Sequence, residues 1–327
     1  MERFVFIVAV TVAILFGVGW AFGPQIFRFD GAGGMGSAPM VDVAPGQMEA
    51  QTFAGDRLDL RWVVGRVVIT PEDRTDFVVE IDNSGGVAPM PVVSVDEGRV
   101  IVDGQLRGRI SHCRAEGAAD LRGYGAVTAE NAPVITIRAP RSLNLDVSGG
   151  ALTEIAASEA VEADFSGCGD ANIADVAGPL SLDVSGAADI TTGAADRITL
   201  DLAGATDVTT GAIANGANVD VSGAGTVIFA SLTGGLEADA AGAGNMIVRA
   251  GAITTANLDL AGAGDVQINA PVERLVVSIA GAGDVDVDNT VGDLDAEIAG
   301  AGSVTVREVT GTVQREILGP GRIEVGQ

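Results

Sequence analysis

Residues 258–268 read LDLAGAGDVQI, and at 277–287 the chain reads VSIAGAGDVDV, the same phrase one repeat later. Its first glycine recurs as Gly149, Gly167, Gly186, Gly204, Gly223, Gly242, Gly262, Gly281, Gly300 and Gly319, in steps of 18 to 20 residues. So steady a period over half the chain marks an array of identical units and outranks any local propensity.

Aligning the copies on that glycine shows what a unit is. The residues two and four positions before it are mostly apolar, as in Leu182 and Val184 or Leu200 and Leu202. The residue between them is acidic: Asp146, Asp164, Asp183, Asp201, Asp220, Asp239 and Asp259, then Glu297 and Glu316 after an interruption at Ser278. Such in-out-in alternation is a half-buried strand with its acid in water. A second apolar pair follows four and six residues after the glycine, as in Val266 and Ile268, and a third apolar position such as Val272 closes the turn. One unit cannot bury its inner face alone, whereas stacked units share one long core. The expected fold is therefore all-β, a single-chain parallel β-helix of about ten 19-residue coils. Right-handed winding is the expectation for parallel crossovers, and at ~4.8 Å per coil the rod is roughly 45 Å long. A propeller would need ~40 residues per blade and does not suit the period.

The low aromatic content, 4%, fits thin coils without room for large rings, and 47% hydrophobic residues ensure a core. Net charge is −25 and falls mostly on the repeats: residues 1–142 carry 13 Arg against 17 acids, residues 143–327 only 6 Arg against 27. A surface this acidic repels phosphate backbones, so no nucleic-acid partner is expected.

Ahead of the array the chain divides into three. Residues 1–23 contain an uncharged run from Phe4 to Phe22, long enough either for a transmembrane anchor or for a secretory signal peptide ending near Gly19-Trp20-Ala21. Either reading exports the remainder, with a membrane contact through this segment if it is uncleaved. Residues 24–45 are a Gly/Pro-rich tether. Residues 46–142 alternate like strands but lack the period, and are expected to form an irregular β cap over the first coil of the 143–327 β-helix. Arg315, where an apolar residue belongs, and Pro320 in the corner of the last repeat are features that stop further stacking.

Cys113 and Cys168 are the two cysteines. In an exported chain an even count points to a disulfide, here tying cap to second coil, with a buried free thiol at Cys168 as the alternative. His112 has neither a second histidine nor a CxxC nearby, which leaves a loop residue rather than a zinc ligand.

The recurring S/A-G-A-G-D phrase, its SGCGD variant at 166–170, and the lead-in PVITIRAP at 133–140 followed by SLNLDVSG at 142–149 resemble the bacterial family described as putative auto-transporter adhesin, head GIN domain. The resemblance spans about residues 45–327. It implies an exported β-helical domain and supplies no catalytic residues. The sequence runs only to Gln327 after the last repeat, so a translocating C-terminal barrel is not expected.

A second oxygen-bearing ladder stands three residues after the elbow glycines: Asp170, Asp189, Asp207, Thr226, Asn245, Asp265, Asp284 and Ser303. Short polar residues at turns accept backbone hydrogen bonds; the rival use is calcium held between coils. No cofactor is expected, with calcium as the one candidate. Uniform carboxylates argue against an enzyme, because acid–base catalysis needs two groups whose environments differ. The main interruption is basic and irregular, RGRISHCRAEGAADLRGY at 107–124. The expectation is a non-catalytic cell-envelope module for adhesion or surface assembly with an envelope protein or glycan as partner. The alternatives are a polysaccharide-binding or -cleaving protein and a periplasmic scaffold.

Overall fold

The structure, a computed structural model, describes residues 41–326. The run from Phe4 to Phe22 and most of the tether lie outside the described residues. Among the described residues no helix is long and apolar enough to cross a membrane, and the regular structure is strand except for one 3₁₀ turn at Ala115–Gly117.

The repeats form parallel rungs in register, coil on coil. Leu182 pairs with Leu200, Leu200 with Val219 and Val219 with Ala238. On the second face Ile190 pairs with Val208 and Val208 with Val227, while Ile253, Val272 and Val291 stack at the third apolar position. These side chains point inward and merge into one core cluster that runs from Leu58 to Ile323. Alternation in sequence has thus become a dry interior and a wet exterior, as a period of two requires.

Glycine at the elbow has a specific cause. A Cβ on Gly186, Gly223, Gly242, Gly262, Gly281 or Gly300 would lie 2.0–2.1 Å from the carbonyl oxygen of the elbow glycine one coil below. None of these six has φ in the left-handed region, so close backbone approach, not conformational freedom, excludes other residues. Those same carbonyls accept the coil-to-coil bonds: the N–H groups of Ala224, Ala243, Ala263, Ala282 and Ala301 donate to the oxygens of Gly204, Gly223, Gly242, Gly262 and Gly281 at 2.8–3.1 Å. The ten elbows therefore form one column along a single edge of the rod.

Residues 46–142 are irregular, and they also contribute two rungs that the period does not reveal. The strands are β1 (Gly46–Ala54), β2 (Arg57–Glu72), β3 (Asp76–Asn83), β4 (Val92–Asp96), β5 (Arg99–Asp103), β6 (Ile110–Cys113), β7 (Ala119–Leu121), β8 (Gly125–Val127) and β9 (Val134–Pro140), followed by β10 (Ser142–Ile155), the first repeat. β2 bends through both faces as a full coil, parallel to β10 above it and to β5 and β9 below. The chain thus lays down β2, makes the coil beneath it, and crosses back over to begin the repeats. Below that coil the parallel ladder ends on antiparallel strands, β4 against β5 and β3 against β9, with β1 outside β3. Antiparallel closure occupies the edge groups that would otherwise invite another chain.

At the other end Arg315 stands opposite buried Ala296, and all of Val313–Leu318 is exposed. With a charge at the inward register position this strand adds nothing to the core, which on this side closes on Ile323 of the strand that follows.

The elbow account separates two chemically identical substitutions. Gly242→Ala forces a methyl against the Gly223 oxygen at 2.1 Å and is expected to destabilise by about 1–3 kcal/mol, as overpacking does. Gly235→Ala meets nothing closer than 4.0 Å and is expected to be neutral or stabilising by up to ~1 kcal/mol. Urea denaturation of both variants checks the pair.

Candidate functional site

The acidic residues form a ladder in strict register, Asp146 beside Asp164, Asp164 beside Asp183, and so through Asp201, Asp220, Asp239 and Asp259. Asp59 of β2 extends it one step, lying opposite Asp146. At ~4.8 Å each neighbouring pair repels by roughly 0.9 kcal/mol even in a water-like dielectric.

Cations meet this repulsion at one end only. Arg57 grips Asp146 through both its Nε, at 2.8 Å, and its Nη2, and reaches Asp164 at 3.3 Å. Arg61 holds the buried Asp59 at 2.6–2.8 Å, with Arg99 at 3.5 Å. From Asp183 to Asp259 no ion pair is seen among the described residues. Partial burial pushes the Asp146 carboxyl up, but the hydrogen bonds and charge of Arg57 outweigh it and hold the group below the ordinary carboxylate range. Asp164 goes the other way, raised by burial and then by Asp146. Asp220 is raised by burial and then by Asp201 and Asp239.

The second ladder is engaged by the backbone. Asp207 accepts the N–H of Thr226 at 2.7 Å, Asn245 that of Asp265 at 3.1 Å, Asp265 that of Asp284 at 3.0 Å, and Asp284 that of Ser303 at 2.8 Å. Each oxygen thus caps the same position in the next coil. Among the described residues no group of three or more His, Cys, Asp or Glu side chains converges as metal ligands do.

The basic interruption becomes a small knob. β6, β7 and β8 form a three-stranded antiparallel sheet over its own core of Val64, Leu106, Ala119, Leu121 and Val127, with Trp62, Ile110 and Tyr124 packed at the margin. Cys113 is bonded to Cys168, their Cα atoms 5.9 Å apart, which fastens the knob to the coil above β10. His112 is exposed. Arg109 lies 5.6 Å from the centre of the Tyr124 ring, and the Tyr124 hydroxyl accepts the Val41 N–H at 2.8 Å. Arg107, Arg114 and Arg122 are exposed on the knob, Arg114 in a two-pronged bond to Asp120. Trp62, at φ +53, occupies the bulge where Arg61 and Trp62 face Ser148 alone.

The period locates the elbow column, the acid ladder and the second ladder. It does not reveal Asp59, its clamping arginines or Trp62. The available signal was Leu58-Asp59-Leu60, the same three letters as Leu258-Asp259-Leu260, hidden by the long insertion between β2 and β10.

Fold and surface together define a class: a β-solenoid whose differentiated features are outside surfaces. In sequence, residues 173–290 and 233–326 match the model of the family described as putative auto-transporter adhesin, head GIN domain. The match takes in the later coils of the stack, and it is to that family that this part of the chain is similar. Similar solved structures include a putative adhesin from Parabacteroides distasonis, 15% identical, covering 87% of this chain and 98% of that one with TM-score 0.43. Others are a putative adhesin from Parabacteroides merdae, at 12%, 88%, 97% and 0.40 in the same order, and a putative lipid binding protein from Parabacteroides distasonis, at 14%, 88%, 99% and 0.39. No curated protein matches the chain.

Two outcomes follow for the electrostatics. Asp164, Asp170 and Asp220 have raised pKa values in the folded chain. The native state therefore binds more protons than the unfolded one just above the ordinary carboxylate range, and stability rises as pH falls from neutral to roughly pH 5. Asp146 and Asp293 are depressed, and their contribution is lost as pH falls through their folded values. Melting temperature against pH should therefore pass through a maximum on the acid side of neutral. Added salt at pH 7 should raise it by screening the unpaired stretch. For the knob, Cys113→Ser removes a cross-link spanning 55 residues, worth about 4 kcal/mol in the chain-entropy model. Calorimetry with and without reductant should show that loss in the wild type and no reductant effect in the variant.

Proposed function

We propose that this protein is an exported, non-catalytic cell-envelope module that binds an envelope component through the outside of its rod. The observation that carries the reading is the repetitiveness of its polar chemistry: five of the eight second-ladder residues, Asp170, Asp207, Asn245, Asp265 and Asp284, accept backbone N–H groups of the next coil, and the acid ladder from Asp183 to Asp259 is exposed throughout. Repetition of this kind supports an extended contact surface. The Cys113–Cys168 bond suits an oxidising compartment. In this reading no metal or cofactor is part of the module, and calcium acts on the ladder only by screening.

One observation favours a catalytic rival. Asp146 and Asp164 are adjacent carboxyls pushed in opposite directions beside Arg57, the kind of split an acid–base pair shows. Against it, the Asp164 side chain is 54% exposed, open to bulk water without a cleft to exclude it.

The test incubates the full chain with isolated cell envelopes and with acidic and neutral polysaccharides, scoring retention and chain cleavage together. Retention without new reducing ends or unsaturated products supports the module. Cleavage that disappears in Asp164→Asn would establish the rival. Melting temperatures in calcium and in chelator at fixed ionic strength should coincide.

A further inference from the structure

The acid-ladder face is interrupted once by the loss of side chains. Along the outward positions four residues ahead of the ladder stand Pro179, Arg197, Gly216, Gly235, Thr255 and Arg274, with Pro179 beside Arg197 and Gly235 beside Thr255 in register. Two successive glycines leave a notch between Arg197 and Thr255. One wall is the next outward column, Thr199, Asn218, Glu237 and Asn257, and Asn215 stands on the other side; the groove holds about 350 Å³.

Gly216 has a backbone reason to be glycine, since its φ is +99. Gly235 has none. Its φ is outside the left-handed region, and a Cβ there would meet only the Thr255 oxygen at 4.0 Å. Glycine in a strand costs stability relative to alanine, so the fold by itself favours a side chain here. What the missing side chain leaves is open space above the strand. The side chains of Arg197, Thr199, Asn218, Glu237 and Asn257 make no hydrogen bond or ion pair with any described residue, and all five are exposed. They supply amide donors and acceptors, a hydroxyl, a carboxylate and a guanidinium around a floor without side chains.

We propose that this groove is a binding site for a neutral oligosaccharide, a deepening that depends on the envelope-binding reading above. Asn218 and Asn257 flank Glu237 along the wall, and with Arg197 at one end of the notch they supply the alternating donors and acceptors that vicinal hydroxyls require. The groove crosses the coils, so a chain lying in it meets an equivalent wall residue every ~4.8 Å, a step comparable with one pyranose ring. Charge selects within the class. Asp201, Asp220, Asp239 and Asp259 follow the wall residues by two positions on the same exposed face, a potential that disfavours uronate chains despite Arg197. No aromatic platform lines the groove, which predicts selectivity by hydroxyl pattern and modest affinity.

The experiment titrates the full chain with cellohexaose, mannohexaose and laminarihexaose, with hexagalacturonate as the charged comparison, by calorimetry. At least one neutral hexamer is expected to bind, and hexagalacturonate at least tenfold more weakly. Gly235→Leu fills the notch without backbone conflict and should abolish binding while keeping the wild-type melting temperature. Asn218→Ala combined with Asn257→Ala should weaken it at least tenfold, and Thr209→Ala on the other face should leave it unchanged. Failure of all three neutral hexamers to bind, or binding indifferent to Gly235→Leu, overturns the proposal. Retention on cell envelopes that persists in Gly235→Leu would then leave the module reading standing and place its contact elsewhere.

Discussion

The constraint on which the structure depends is the approach of one elbow to the next. A carbonyl of one coil lies where a Cβ of the next would be, and accepts its coil-to-coil bond from the following residue. Glycine is therefore required at every step for lack of room, and at Gly149, Gly167, Gly204 and Gly319 the left-handed φ adds a second reason. Once the elbows align, everything else is held in register: inward positions meet inward positions, and the acids are forced into a column whether or not their charges favour it. Regularity has an electrostatic cost, and the array tolerates it because backbone bonding and the shared core are repeated in each coil while exposed like charges are screened by water and ions.

The two ends resolve the edge problem differently. Below the repeats, β3 and β4 run antiparallel and close the ladder, while three arginines from β2 and β5 neutralise the first carboxylates. Above them Arg315 stands in register with inward-facing Ala296, and its strand, Val313–Leu318, stays exposed. The knob joins the closed end through a disulfide and a small separate core, so the most irregular chemistry is fixed to the most strongly closed part of the rod.

Much of this was legible in the sequence, because the repeat period states the register directly. Aligning Leu258-Asp259-Leu260 with its counterparts predicts buried, exposed, buried, and the structure follows this along the array until the last repeat, where Arg315, Glu316 and Ile317 are all exposed. The β2 coil was not legible, since Leu58-Asp59-Leu60 lies far from Asp146 in sequence and the intervening strands, including β9, return beneath it. The notch was hidden for another reason: Gly235 looks in sequence like any other glycine of a glycine-rich chain. Only its surroundings show that, unlike Gly242, it has room for a side chain.

The most direct test is amide hydrogen exchange at the elbows. The N–H groups of Ala224, Ala243, Ala263 and Ala282 belong to exposed or half-exposed corner residues with methyl side chains, yet each donates to the elbow carbonyl of the coil below. If elbow stacking organises the rod, these amides exchange only through opening of whole coils and are as protected as the core amides of Leu200 and Val219. Exchange at the rate of an ordinary surface loop would contradict the account.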